Sequence, residues 1–276
     1  MRGFSNTFLI FFYQIAWGGL VALAATPFHE LDRAFYKSTA GVLFVIAVIE
    51  IWGKSAFYWR TLSERFDPVV IAEIFFHALF AASFAAYLVS LWGERQTLRA
   101  RSFATAVLGG FAGLILSAGT FHAAPLVSFE TMIYPVSFVL SALLLGSVTV
   151  GMLIGHWYLI DTGQTLEPFV RVYKYFMLAL IVQAIFLLLS AALLHVLGSP
   201  DTASAVQRLW TSHATLLAMR VLAGQVAPLI LAWMIWRTLL IPHTMAATGL
   251  FYIALLGVFI GDILGKQILA LTGLPF

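Results

Sequence analysis

The chain has 276 residues, of which 62% are hydrophobic and only 10% charged, and its mean hydropathy is +0.97. A soluble domain carries about 25% charged residues, and no water-soluble globule of this size could hide so much apolar surface. In lipid the outer face of each helix can itself be apolar, so the composition predicts an all-α fold. That fold is a polytopic integral membrane bundle of about eight transmembrane helices, forming a single transmembrane domain over residues 1–276.

A span needs roughly 20 apolar residues. Taken in chain order, the stretches that qualify are Phe4–Pro27, Thr39–Ala56, Pro68–Trp92, Phe103–His122, Ile133–Tyr158, Tyr175–Leu197, His213–Leu239 and Met245–Leu271. The first resembles a signal peptide, since Arg2 precedes an apolar run and Ala22-Leu23-Ala24 resembles a cleavage site. Tyr13, Gln14 and Trp17 within it suit a retained helix better. The second is the weakest span, because Glu50 and Lys54 sit in its last turns, four apart and able to pair on one face. Connections are short, with no linker and no convincing internal repeat. Aromatic residues near predicted ends, among them Tyr58, Trp59, Trp92, Trp157, Trp210 and Trp236, form an interfacial belt. Small residues four apart, as in Gly109–Gly113 and Gly151–Gly155, predict close helix packing.

The formal charge is +3 and the pI about 9.3. In a membrane chain this reports loops that meet anionic headgroups, and no basic cluster mixed with aromatics suggests a nucleic-acid partner. Cysteine is absent, which excludes disulfides, thiolate metal sites and a cysteine nucleophile. No phosphate loop, HExxH zinc motif or GxSxG elbow is present, so no metal site and no autonomous enzyme are expected. Let side A be the N-terminal side. Side B then carries Arg33, Lys37, Arg95, Arg99, Arg101, Arg171, Lys174 and Arg237, against Arg2, Lys54, Arg60, Arg65, Arg208 and Lys266 on side A. The bias predicts side B in the cytoplasm of a bacterial inner membrane, with both termini on the non-cytoplasmic side.

Ionisable groups inside spans are costly and usually functional. Four stand out: Glu73, His77, Arg220 and Asp262. At about 1.5 Å rise per residue they lie roughly 7–13 Å from side A, so a common pocket near that face is expected. Glu73 and His77 are four apart and share a helical face. His213, Arg220 and Gly224 fall near one stripe, and His122 and His195 lie toward the same side. A smaller group, His29, His156, Asp161 and His243, occupies side B. The bland alternative is that Arg220 and Asp262 form a buried ion pair that fixes helix register.

Such a cluster suits a membrane quinone. Glu73, His77 and Asp262 would accept protons as a quinol is oxidised, and Arg220 would donate to a carbonyl. Haem b is a variant, with His77 and one of His122, His195 or His213 as axial ligands. The expectation is therefore a non-autonomous membrane subunit of a respiratory or photosynthetic electron-transfer complex, with the lipid bilayer and other subunits as partners. A proton-coupled transporter or channel is the alternative, although no matched pair of broken helices supports it. A non-catalytic anchor is another alternative, docking a peripheral complex through Gly155-His156-Trp157-Tyr158, Asp161, Glu167 and Arg171. The helix number and the polar cluster near one face resemble the quinol-interacting anchor subunits of molybdopterin oxidoreductase complexes, the polysulfide reductase membrane-subunit family. That resemblance is one of general architecture, and no residue role is carried over from it.

Overall fold

The fold is described from a computed structural model covering residues 4–28, 30–64, 66–121 and 128–276, with side chains from residue 7 onward. Its helices are α1 (Phe4–Leu23), α2 (Arg33–Glu64), α3 (Pro68–Ser90), α4 (Gln96–Gly119), α5 (Phe129–Ile160), α6 (Glu167–Leu197), α7 (Pro200–Ser212), α8 (Ala214–Leu240) and α9 (Thr244–Thr272). Seven of them, α2–α6, α8 and α9, are long and apolar enough to cross a membrane. Helix α1 has 20 residues, about 30 Å at helical rise, which also matches a hydrocarbon core.

Hydropathy locates only the apolar centre of a span, so most helices run past the predicted limits. α2 begins at Arg33 and ends at Glu64, with Glu50 and Lys54 fully inside it. Its ends lie far enough from the apolar centre to carry charges in contact with headgroups or water. α3 starts where Asp67 accepts a hydrogen bond from the Val69 amide and Pro68 occupies the first turn, a position where proline's missing N–H is not needed. Helix α7 was not expected. Ser199 caps it, Pro200 opens it, and it is amphipathic, burying Ala205, Val206 and Leu209 while Trp210 stays exposed.

α5 is the central element, packing on α1, α6, α9 and α4. Of its most apolar 18 residues 72% are buried, against 22% in α8, so α5 is shielded by protein and α8 presents most of its surface outward. Helix α1 lies directly against α5. A methyl group on Gly18 would overlap the Ala142 carbonyl, and one on Gly146 would overlap the Gly18 backbone. Here glycine is required by backbone-to-backbone contact, the means by which helices associate closely in lipid.

α8 is not regular. Residues Leu222–Val226 form a π-turn, closed by the Ala227 amide on the Leu222 carbonyl. Pro228 follows at once. A proline ring clashes with the carbonyl four residues back, here that of Gly224, and the widened turn relieves the clash. On side A the chain end folds over the bundle. Tyr134 donates to the Gly273 carbonyl at 2.6 Å and Ser137 to that of Pro275 at 2.8 Å.

Candidate functional site

Two buried polar clusters occupy the bundle, and the four ionisable residues singled out above are divided between them. The expected common pocket is therefore corrected. Glu73 and His77 belong to one cluster, Arg220 and Asp262 to the other, and among the described residues no hydrogen bond or ion pair joins the two. Helix α1 lies between them. Its Tyr13 stacks on the His77 ring, while the next residue, Gln14, donates to the Phe138 carbonyl of α5 at 2.8 Å. Depth along a helix axis is readable from sequence, but rotation about the axis and the order of helices around the bundle are not.

The first cluster forms where α2, α3 and α4 meet. Glu73 Oε1 is its hub, accepting from Lys54 Nζ at 2.6 Å, from Ser117 Oγ at 2.6 Å and from Tyr58 at 3.1 Å. The His77 Nε2 lies 3.2 Å from Ser117 Oγ. Its Nδ1 lies 3.3 Å from Glu50 Oε1 and 3.5 Å from the Tyr58 hydroxyl. Lys54 Nζ is also 3.7 Å from Glu50 Oε1. Glu50, Lys54, Glu73 and His77 are each exposed by 2% or less. With His77 neutral the quartet carries one net negative charge, and with His77 protonated it is neutral. Buried charges persist in an apolar interior only when paired; Glu73 is paired and hydrogen-bonded, whereas the Glu50 oxygens have no hydrogen-bond partner and rely on their contacts to Lys54 and His77. Glu50 and Lys54 were legible only as a pair at the weak end of a span, and the i,i+4 spacing of opposite charges in an apolar stretch was their signal.

The second cluster lies between α5, α6, α8 and α9. Lys266 Nζ contacts both oxygens of Asp262, at 3.5 and 3.4 Å, and lies 4.9 Å from the Phe138 ring centroid. Ser141 donates to Asp262 Oδ1. The alternative of a direct ion pair between Arg220 and Asp262 is not realised: Lys266, one turn from Asp262 on α9, contacts the carboxylate, while Arg220 shares the recess beside it. Arg220 is 3% exposed and its Nε has no hydrogen-bond partner. A methyl group on Gly224 would collide with Arg220 Nη1 and come within 2.8 Å of the Gly261 Cα. The close α8–α9 crossing at these two glycines thus makes the slot that holds the guanidinium. From sequence Lys266 counts among the side-A cations, in the last turns of the final span; it is buried, and its four-residue spacing from Asp262 was the available signal.

Arg220 stands where two spaces of different character meet. On one side is an apolar groove of about 310 Å³ between α6, α7 and α8, walled by Leu187, Leu188, Leu209, Trp210 and Leu217. On the other is a polar recess of about 10 Å³ shared with Ser141, Gln183, Asp262 and Lys266, the volume of about one water molecule. Leu188 and Trp210 are largely exposed at the groove's rim, so the groove opens at the outer surface of the bundle. Sequence inspection could not find it, because its walls come from three helices and look like ordinary lipid-facing leucines.

Among the described residues the histidines considered as haem ligands do not converge. His122 lies outside the described residues, as does His29. His195 is exposed at the end of α6, and His213 is half-buried between α7 and α8. Both ring nitrogens of His77 are engaged, the Tyr13 ring stacks on it with centroids 4.2 Å apart, and a Cβ at Gly113 would come within 2.9 Å of its Cδ2. The residues present therefore do not fit a haem at His77. On side B, His156 is exposed and 3.1 Å from the Tyr252 hydroxyl, Asp161 is half-buried, and His243 is exposed. Arg171 of the docking segment weighed as an alternative bonds Glu30 at 2.7 Å and Glu167 at 3.1 Å, so part of that segment serves the fold's own loops. The chain matches no protein-family model and no curated protein.

Proposed function

We propose that this polytopic membrane protein is a subunit of an electron-transfer complex and that it binds a membrane quinone in the groove ending at Arg220. The observation that carries this reading is a buried guanidinium whose Nε has no hydrogen-bond partner, standing at an apolar groove open to the outside of the bundle. A quinone asks for that combination: a donor for its carbonyl oxygen and an apolar path for its isoprenoid tail. The groove's volume of about 310 Å³ is at the lower end of small-ligand sites, about 300–1,000 Å³. Arg220 donates to the carbonyl. Asp262, reached through the small polar recess, is the proton acceptor, and Lys266 keeps it ionised between turnovers.

In the same reading Glu73 and His77, with Glu50 and Lys54, form a separate proton-holding cluster on the other side of α1. Its complete burial also favours a second reading, proton-coupled transport. Substrate-driven pH change in proteoliposomes would support transport, and its absence alongside quinone binding would support the first reading. Side B faces the cytoplasm in either case. This orientation is supported by the burial of Lys54 and Lys266 inside helices, which leaves Arg2, Arg60, Arg65 and Arg208 as the Lys and Arg residues of side A.

The test is quinone binding by purified protein in detergent. Organic extraction should release a quinone, and a short-tailed quinone should quench tryptophan fluorescence saturably through Trp210. Arg220→Gln should weaken that binding at least tenfold with the helical content unchanged. Absence of saturable binding to both ubiquinone-type and menaquinone-type analogues would end the quinone reading.

A further inference from the structure

The hydrogens available to the buried quartet fix the charge of His77. Glu73, Ser117, His77 and Tyr58 close a ring of four contacts. Ser117 donates to Glu73 Oε1 at 2.6 Å, and Tyr58 donates to the same oxygen at 3.1 Å. His77 Nε2 lies 3.2 Å from Ser117 Oγ, and its Nδ1 lies 3.5 Å from the Tyr58 hydroxyl. A serine or tyrosine hydroxyl has one hydrogen to give. Both are spent on Glu73, so each hydroxyl meets His77 only as an acceptor. Lys54 Nζ adds a third donor to Glu73 Oε1, at 2.6 Å, and also donates to Ser117 Oγ at 3.3 Å. A neutral imidazole carries one N–H and one bare lone pair, and the ring of contacts then lacks a hydrogen. An imidazolium donates from both nitrogens and completes it.

The charges around the ring favour the same state. Among the described residues α2 brings Glu50, Lys54 and Tyr58 to His77, α3 brings Glu73, α4 the uncharged Ser117 and α1 Tyr13. Glu50 Oε1 is 3.3 Å from Nδ1, and neither Glu50 oxygen has a hydrogen-bond partner. The Tyr13 ring stacks on the imidazole with centroids 4.2 Å apart, which sets the negative face of a π-system against it. With His77 charged, two carboxylates balance two cations where each is exposed by 2% or less. We infer that the quartet is a binding site for one proton, carried on His77 as the imidazolium with Glu50 as its counter-charge. This rests on the reading of the cluster as proton-holding, deepens it, and is independent of the groove at Arg220. Loss of the proton sets a bare ring nitrogen against a hydroxyl oxygen, so Ser117 or Tyr58 must turn its hydrogen away from Glu73. Ser117 belongs to α4 and Tyr58 to α2, and release therefore loosens α3 from one of its neighbours.

Magnetic resonance of purified full-length protein, labelled with heavy nitrogen at histidine, tests this directly. His77 is identified by its through-space contact to the Tyr13 ring. At about pH 8 a solvated histidine is neutral, whereas both nitrogens of His77 should carry hydrogen. Titration to higher pH then gives the proton affinity of the site. Glu50→Gln should lower that affinity at least about tenfold, and Lys54→Met should raise it. A loosened fold does not produce opposite signs in the two variants, and changes of the same sign overturn the role of Glu50 as counter-charge. The carboxyl groups are followed by infrared spectroscopy in the same samples. A neutral His77 with a protonated-carboxyl band that Glu50→Gln or Glu73→Gln removes overturns the imidazolium and leaves the proton-holding reading standing. A neutral His77 with both carboxylates ionised overturns the two together.

Discussion

Replacing Lys54 by methionine gives the sharpest test of the buried quartet. The substitution removes the 2.6 Å bond to Glu73 Oε1 and the 3.7 Å contact to Glu50, and it leaves two carboxylates facing His77 with no fixed cation. Glu73 retains its bonds from Ser117 and Tyr58. A hydrogen bond to a charged group contributes about 1.5–3 kcal/mol, and breaking one member out of a buried ion pair costs about 3–5 kcal/mol. The second figure applies here, because Lys54 is 2% exposed and Glu73 2%, so water cannot replace the lost partner. The single variant should therefore lose about 4 kcal/mol. The double variant Lys54→Met with Glu73→Gln should recover more than half of that, since it removes one of the stranded charges. The assay is reversible unfolding in mixed micelles with increasing SDS, followed by tryptophan fluorescence, and the single and double variants form a mutant cycle. A loss below about 1 kcal/mol for Lys54→Met, the scale of an exposed pair, would refute the claim that the quartet is held dry. So would strictly additive effects in the cycle.

Gly18→Leu should unfold the α1–α5 contact, because its side chain would enter the Ala142 backbone; a loss of at least about 2 kcal/mol is expected in the same micelle assay. Pro228→Ala restores an amide donor and should let the π-turn relax, rotating the N-terminal half of α8 by about 100°. Arg220-dependent quinone quenching should then fall about tenfold while circular dichroism stays unchanged. The chain has no cysteine, so single thiols report topology cleanly. An impermeant maleimide applied to intact spheroplasts should label Ser204→Cys on α7 and spare Gly163→Cys between α5 and α6; the reverse pattern would invert the orientation. Glu94, fully exposed, is held below the usual carboxylate range by its hydrogen bond from Arg33. The tether between α2 and the α3–α4 loop is therefore present above the ordinary carboxylate pKa and lost as pH falls through the lowered value. Hydrogen exchange at residues 91–95 should accelerate only on acidification below that range, and Arg33→Gln should remove the dependence.

The helical membrane class and the approximate place of each span were legible in composition and hydropathy. Helix limits were not, because a span's polar ends obey contact with headgroups and neighbours, which an apolar run does not encode. Asp262, Arg220, Glu73 and His77 were recognisable as costly residues, and each is indeed buried. Their partners were not recognisable. Lys266 and Lys54 sit in the last turns of predicted spans and count with the cations of side A, yet each turns inward to an acid on its own or a neighbouring helix. Ser117 and Ser141 carry no signal in a single sequence, and Tyr58, read there as an interfacial aromatic, is instead buried and donates to Glu73.

The sequence alone determines that this chain lives in lipid, because 62% hydrophobic residues leave no soluble alternative, and that its few buried charges must find partners. Only tertiary structure decides which partners those are. Rotation of each helix about its axis divides four expected neighbours into two clusters separated by α1. It also leaves the Nε of Arg220 without a hydrogen-bond partner at the end of a groove. Hydropathy is a one-dimensional record of burial, whereas ion pairing depends on the azimuth of every helix, and close backbone contacts such as Gly18 against Ala142 set that azimuth.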